Sequence, residues 1–240
     1  MPYRPRRPSV VQAVNQASLD ALRYIKRKHN YRKLAEILDM SPSTLSRYLS
    51  GKTMPRPRRA IIMLEKIVDL IKYDELVAEF FGEELDPENG IYICHDTDVI
   101  KLLSAHILRQ FLGSKIDSVL AMDPYATPLA TCFASLINSE VYFTLDRPAW
   151  RESYEISYRS DGGHVKNSVW IPRGIVRRGR SILLVATSVL SHSPFKEMFS
   201  LIREKGVYAA GLFTLVSRRS VWSTLSVTPG CKKVVVKLYG

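Results

Sequence analysis

Two groups of side chains in this sequence have types and spacings that can do chemistry. The first lies between residues 30 and 60. Ser43, Ser46 and Arg47 stand at i, i+3 and i+4, which puts them on one face of a short helix introduced by Ser41 and Pro42. Arg32, Lys33, Lys52, Arg56 and Arg58 flank them. Hydroxyl and guanidinium groups in this arrangement suit base edges and phosphate oxygens. The second group runs through "SILLVATSVLSHSPF", residues 181–195. Ile182 to Val185 read as a strand buried on both faces, and Thr187, Ser188, Ser191, His192 and Ser193 follow it. A helix beginning near Ser193-Pro194 presents orphan N–H groups and a positive dipole end, a natural anion site. Carboxylates are missing: the two residues just past the strand are Ala186 and Thr187. That pair carries no charge.

The charge of the chain separates these groups. Its 240 residues carry a net charge of +12. Residues 1–60 hold 14 Lys/Arg against 3 Asp/Glu, and the remainder holds 21 against 20. A basic block concentrated in a small unit is the electrostatic footprint of nucleic-acid binding. The start, "MPYRPRRPSVV", reads as a basic arm over residues 1–8, with no apolar signal core after it. No apolar run reaches bilayer length, so no membrane partner is expected. Cys94, Cys132 and Cys231 are far apart and lack zinc spacing, which predicts reduced thiols, a cytoplasmic location, and no metal or cofactor.

The elements that must position the first group are short helices. Val10, Val14, Ala17, Ala21, Leu22 and Ile25 mark a helix over 10–28. Asn30 reads as an N-cap for "YRKLAEILDM", and Ser41 as the next N-cap, with Pro42 at the first helical position. Two short helices joined by a tight turn make a helix-turn-helix. The stretch "KLAEILDMSPSTLSRYLSGKTMP" resembles the Cro/C1 (lambda-repressor-like) helix-turn-helix family, through Leu34, Ala35, Met40, Ser41, Leu45, Ser46, Arg47, Gly51, Lys52 and Pro55. Tyr31-Arg32-Lys33 replaces the Gln this family usually places at the start of its first motif helix. The resemblance implies a recognition helix in the major groove, read through Ser41, Pro42, Ser43, Ser46 and Arg47. Arg32, Lys33, Lys52, Arg56 and Arg58 are then expected on phosphates. Residues 57–81 predict further helix, with stripes at Ile61, Leu64, Val68, Ile71 and at Leu76, Val77, Phe80, Phe81. The helix-turn-helix domain and its connecting helices thus take residues 9–81. "GEELDPENG", residues 82–90, reads as a linker.

Residues 91–240 change to alternating strands and helices, which predicts a parallel α/β sheet. "IDSVLAMDP", "EVYFTLD", "SILLVATS" and "YAAGLFTLV" are its strands. "RESYEISYRSDGGHVKNSVWIPRG" alternates like a hairpin turning at Asp161-Gly162-Gly163, and a hairpin over the strand ends would act as a flap. This order resembles the type I phosphoribosyltransferases. "LAMDPYATPLATCFASL" matches their pyrophosphate loop, which puts Asp123, Tyr125 and Thr127 at a ligand; Asp123 alternatively caps the following helix. The signature acids of that family fall on Ala186 and Thr187, and Leu190, Ser191, His192 and Ser193 replace its loop glycines.

The expected fold is therefore α + α/β: an all-α helix-turn-helix bundle, then a phosphoribosyltransferase-like parallel-sheet domain with a β-hairpin flap. The expected function is a DNA-binding transcription regulator acting on double-stranded DNA as a homodimer at a palindromic operator. Thr187, Ser188, Ser191, His192 and Ser193, with the Asp123 loop, are expected to hold a nucleotide or phosphoribosyl effector without catalysis. The alternative is a working nucleobase phosphoribosyltransferase with an added nucleic-acid-binding domain.

Overall fold

The computed structural model describes residues 10–148, 152–159 and 166–240, excepting the side chains of Pro87 and Cys94. The basic arm, the Asp161-Gly162-Gly163 turn and its neighbouring residues lie outside the described residues. Within them the chain forms two compact units.

The first unit holds the described residues up to Lys72 together with His95–Leu112 and Cys132–Asn138. Its opening helix, α1 (Val10–Lys28), buries Val14, Ala17, Ala21, Leu22 and Ile25 of the expected stripe, while Val10 at its start is exposed. Both expected caps form. The Asn30 side chain accepts from the Lys33 amide at the head of α2 (Tyr31–Leu38), and the Ser41 hydroxyl accepts from the Thr44 amide at the head of α3 (Pro42–Leu49). Between them Asp39 adopts φ 53°, so one left-handed residue closes the turn. Leu34, Leu38 and Leu45 are almost wholly buried and form the inner side of this pair. Helix α4 (Pro57–Leu70) buries Ala60, Met63, Leu64, Ile67 and Val68. Ile61, expected on that stripe, is exposed instead. The helix stops at Ile71 and the pattern restarts in α5 (Tyr73–Phe81), so the two stripes have separate phases.

The second unit takes Tyr73–Cys94, Gly113–Thr131 and Ser139–Gly240. The stretch read as a linker is structured within it. Residues 83–85 turn, Pro87–Asn89 form a 3-10 turn, and α6 begins at Gly90 (Gly90–His95). Helix α7 (Thr97–Gln110), capped by Asp96, returns the chain to the first unit, where Asp98 pairs with Arg27.

The sheet of the second unit contains β1 (Ser118–Ala121), β2 (Glu140–Phe143), β5 (Ser181–Val189), β6 (Tyr208–Arg218) and β7 (Lys232–Tyr239). All neighbours run parallel in the order β2-β1-β5-β6-β7. Strand β7, "KKVVVKLY", is one more than the four the sequence pattern predicted. The helix α8 (Thr127–Ile137) follows β1, α9 (Ser193–Glu204) joins β5 to β6, and α10 (Arg219–Thr224) follows β6. The hairpin forms as β3 (Ser153–Arg159) against β4 (Lys166–Pro172). Its described part does not stand free: Ile156 and Ile171 are buried in one core with Leu184, Ala186, Met198 and Phe199. Backbone bonds between Leu145 and Trp170, at 2.8 and 3.0 Å, tie it to the end of β2. The flap expectation therefore concerns the tip, which lies outside the described residues.

Candidate functional site

The first candidate surface is the outer face of α3. Ser43, Ser46 and Arg47 are all exposed, as are Ser41 and Pro42 at its head. The Ser41 hydroxyl lies 2.9 Å from the hydroxyls of both Ser43 and Thr44, so the head of the helix is a small hydroxyl cluster. The inner face is fixed by Leu45, which is fully buried, while Leu49 is half-buried. After α3, Gly51 takes φ 71° and the Thr53 amide donates to the Arg47 carbonyl. That bond folds the Lys52 turn back onto the helix end. Arg32, Lys52, Arg56 and Arg58 are exposed, and no ion pair engages them among the described residues. Lys33 is also exposed but pairs with Glu36 at 3.2 Å. An exposed ion pair of this kind is worth little and can be exchanged for a phosphate.

The second candidate surface is the crevice between β1 and β5. Strand order reverses there, since β1 connects outward to β2 on one side while β5 continues on the other. In open parallel sheets ligands sit at the carboxyl ends of the strands at such a point. Here the crevice is filled by the protein's own bonds. Strand β5 runs four residues past its pairing with β1, which ends at Ala121↔Val185. The exposed ladder edge needs acceptors, and Asp123 supplies them. Its Oδ2 accepts from the Thr187 amide at 2.7 Å, and its Oδ1 accepts from the Thr187 hydroxyl at 2.7 Å and from the Ala126 amide at 2.9 Å. Burial raises the Asp123 pKa, although these bonds and one from the Tyr125 amide favour the ionised form. Asp123 is the N-cap of the 3-10 turn Pro124–Ala126, one turn ahead of the helix at Thr127 that it was alternatively expected to cap.

The same geometry accounts for the residues that replace acids. The Ala186 side chain belongs to the apolar core packed by α9, where a carboxylate would be desolvated without a partner. Thr187 is 2% exposed and donates both its amide and its hydroxyl to the Asp123 carboxylate. An acid there would set two negative charges within bonding distance.

The remaining predicted residues spread around the loop. Ser188 is half-buried on β5, facing β6 through its pairing with Val216. Ser191 and Ser193 are half-buried at the start of α9. His192 turns away from the crevice: its Nε2 lies 3.0 Å from the Val221 carbonyl and 2.8 Å from the Thr224 hydroxyl. A carbonyl only accepts, so the bond to Val221 belongs to the tautomer with its proton on Nε2, and the ring's two contacts tie the loop to α10. His192 is the N-cap of α9 but gives its first turn no side-chain bond. Tyr125 and Thr127 are half-buried on the loop after β1. The sequence reading missed Gly90. A Cβ placed on it would lie 2.5 Å from the Thr187 Cγ2 and 3.5 Å from the Tyr125 Cβ, so the chain seals the crevice with a glycine. A lone glycine at the end of an acidic stretch gave no signal of this contact.

A cleft of about 640 Å³ opens at the other end of the sheet, at the N-terminal ends of β5 and β6, bordered by Lys115, Arg178 and Arg203. The carbonyl end of α9 also faces it. Arg203 lies in the last turn of α9, where a cation suits the helix dipole, and Lys115 pairs with Asp117 at 3.2 Å.

Comparison with known proteins follows the same two-part division. A helix-turn-helix family model matches residues 21–67. Over the α/β part, the structure resembles adenine phosphoribosyltransferase from Leishmania tarentolae, with a TM-score of 0.58 at 9% identity, covering 71% of this chain and 88% of that one. The enzyme from Leishmania donovani matches with a TM-score of 0.57 at 10% identity, over 71% and 81% of the two chains. That from Rhodothermus marinus matches with 0.54 at 12%, over 61% and 82%. The chain is a Cro/C1-type helix-turn-helix fused to a phosphoribosyltransferase fold. At these identities the likeness is one of fold alone. No curated protein matches the sequence. The helix-turn-helix supports binding to double-stranded DNA. Among the described residues no helix is long and apolar enough to cross a membrane, and no cluster of His, Cys, Asp and Glu could hold a metal ion. Cys132 and Cys231 are half-buried free thiols, and burial pushes the Cys231 thiol up to about 11, which keeps it protonated at neutral pH.

Proposed function

We propose that this protein is a sequence-specific transcription regulator. Its helix-turn-helix reads an operator, and its phosphoribosyltransferase-like domain dimerises and senses a nucleotide-like or phosphorylated ligand without turning it over. One observation carries the DNA-binding half. The exposed face of α3 combines small hydroxyl residues with Arg47, and exposed cations precede and follow it. Small side chains let a helix sit deep in the major groove, and Arg47 reaches guanine or phosphate. A homodimer would pair two such helices on a palindromic site. The sensing half is supported by the fold and by the start of α9, whose leading residue gives no side-chain cap to the amides of the first turn. The absence of turnover follows from Ala186 and Thr187, which offer no carboxylate for a ribose diol or magnesium.

The test is binding of the full-length protein to its own upstream DNA, with and without phosphoribosyl pyrophosphate and a panel of nucleotides. A specific complex shifted by one ligand supports both halves. A specific complex that no ligand moves leaves the DNA reading and removes the sensor. Magnesium-dependent release of pyrophosphate with any nucleobase would instead make the domain an enzyme.

A further inference from the structure

We propose that residues 86–95 form a built-in strap over the crevice between β1 and β5, and that an anionic ligand reaches that crevice only when the strap leaves it. The inference rests on the ligand-sensing reading above and assigns its regulation. Three observations carry it.

The strap is built. The Asp86 side chain accepts from the Glu88 amide at 2.9 Å and its carbonyl accepts from the Asn89 amide at 3.2 Å, which starts the 3-10 turn. Gly90 and Ile93 then point inward at i and i+3, both buried, while Ile91 and Tyr92 are 40% and 58% exposed. The strap thus has an inner edge of two residues and an outer face in solvent.

The seal is specific. Gly90 meets the Cγ2 methyl of Thr187 so closely that no side chain fits between them. Its φ lies outside the left-handed region, so the backbone there would accept alanine. Within a helix alanine is favoured over glycine by roughly 0.5–1 kcal/mol. The need for glycine therefore comes from the approach to Thr187 and from nothing else in the local conformation.

The sealed point is the one a ligand needs. Gly90 packs on Thr187 and the Tyr125 loop, and Thr187 in turn donates its amide and its hydroxyl to the Asp123 carboxylate, which also accepts from the Ala126 amide. A phosphorylated group that approached the Thr187 and Tyr125 side of the crevice would meet Gly90.

The experiment uses amide hydrogen exchange on the full-length protein, with Gly90→Ala, Thr187→Ser and the double variant. Thr187→Ser removes the methyl that the new Cβ would strike and keeps the hydroxyl bonded to Asp123. Gly90→Ala is expected to lower protection over residues 88–95 by roughly ten-fold or more, and the double variant to restore most of it. Gly90→Ala is also expected to bind phosphoribosyl pyrophosphate more tightly than the wild type. If Gly90→Ala leaves protection unchanged or raises it, as helix propensity alone would dictate, the strap is refuted. Binding to the wild type with residues 88–95 still protected also refutes the strap while leaving the sensor intact. If the strap opens in Gly90→Ala and neither protein binds phosphoribosyl pyrophosphate or inorganic pyrophosphate, the sensor reading fails and the gating role fails with it.

Discussion

Ser41 and Asp123 do the same job in two parts of the molecule: each is the N-cap of a short helical segment, with its side chain accepting a backbone amide three residues on. Their surroundings diverge. Around Ser41 the hydroxyls and cations face solvent, and Arg47, Lys52, Arg56 and Arg58 have no ion pair among the described residues. Around Asp123 the polar groups are used up by one another: Thr187 gives it both its amide and its hydroxyl, while Gly90 closes the space above. Polar residues at a helix start therefore do not by themselves make a binding site. What distinguishes the two regions is whether the donors and acceptors are left over after the fold has satisfied its own.

The largest expected effect tests the framework under the exposed face. Leu45→Ala should lower the stability of the helix-turn-helix by about 2–5 kcal/mol, because a fully buried side chain leaves a cavity. Thermal unfolding followed by circular dichroism checks this. Next, Thr187→Val should cost about 1–3 kcal/mol, since the Asp123 carboxylate loses a donor and keeps its burial. Denaturant unfolding of the second unit measures it, and a neutral result would mean that the crevice is less tightly satisfied than its geometry shows. Ser41→Ala should cost about 1 kcal/mol through the lost cap. Lys52→Ala and Arg56→Ala should each weaken binding to all DNA sequences alike and reduce the salt slope by about one. The smallest effect is one of pH. Burial raises the Asp123 pKa above its usual 3.8, so the folded protein holds that proton more tightly than the unfolded chain does. The contribution is full below that usual value and is lost as pH rises through the raised one. Asp123→Asn should flatten this part of the stability curve in urea titrations across the acid range.

The helix-turn-helix was legible in the sequence because its information is local. Asn30, Ser41 and Pro42 announce helix starts within a few residues, and the 3.6-residue period names Leu34, Leu38 and Leu45 as the inner side. The alternation of strands and helices in the second unit was legible for the same reason. The sequence reading did not find β7, although "KKVVVKLY" carries a β-branched run, because only the six-residue α10 stands between it and β6. It also placed Ile61 on the inner face of α4, where the neighbouring Ala60 is the residue that is buried. The crevice was legible only in part. The missing acids at Ala186 and Thr187 were plain, but the reason for them was not. Asp123 and Thr187 are 64 residues apart and meet only because β5 outruns β1. Gly90 looked like linker composition, and His192 looked available until its ring was seen against Val221 and Thr224.

The most direct test of the contrast is a competition between DNA sequences. Full-length protein and the Ser43→Ala/Arg47→Ala variant would be titrated with upstream DNA at about 150 mM salt against an excess of unrelated duplex. If the exposed face of α3 reads bases, the wild type keeps a specific complex and the variant loses it while still binding both duplexes weakly. If the variant prefers the upstream DNA as strongly as the wild type does, the exposed face is not the reading surface and the account fails.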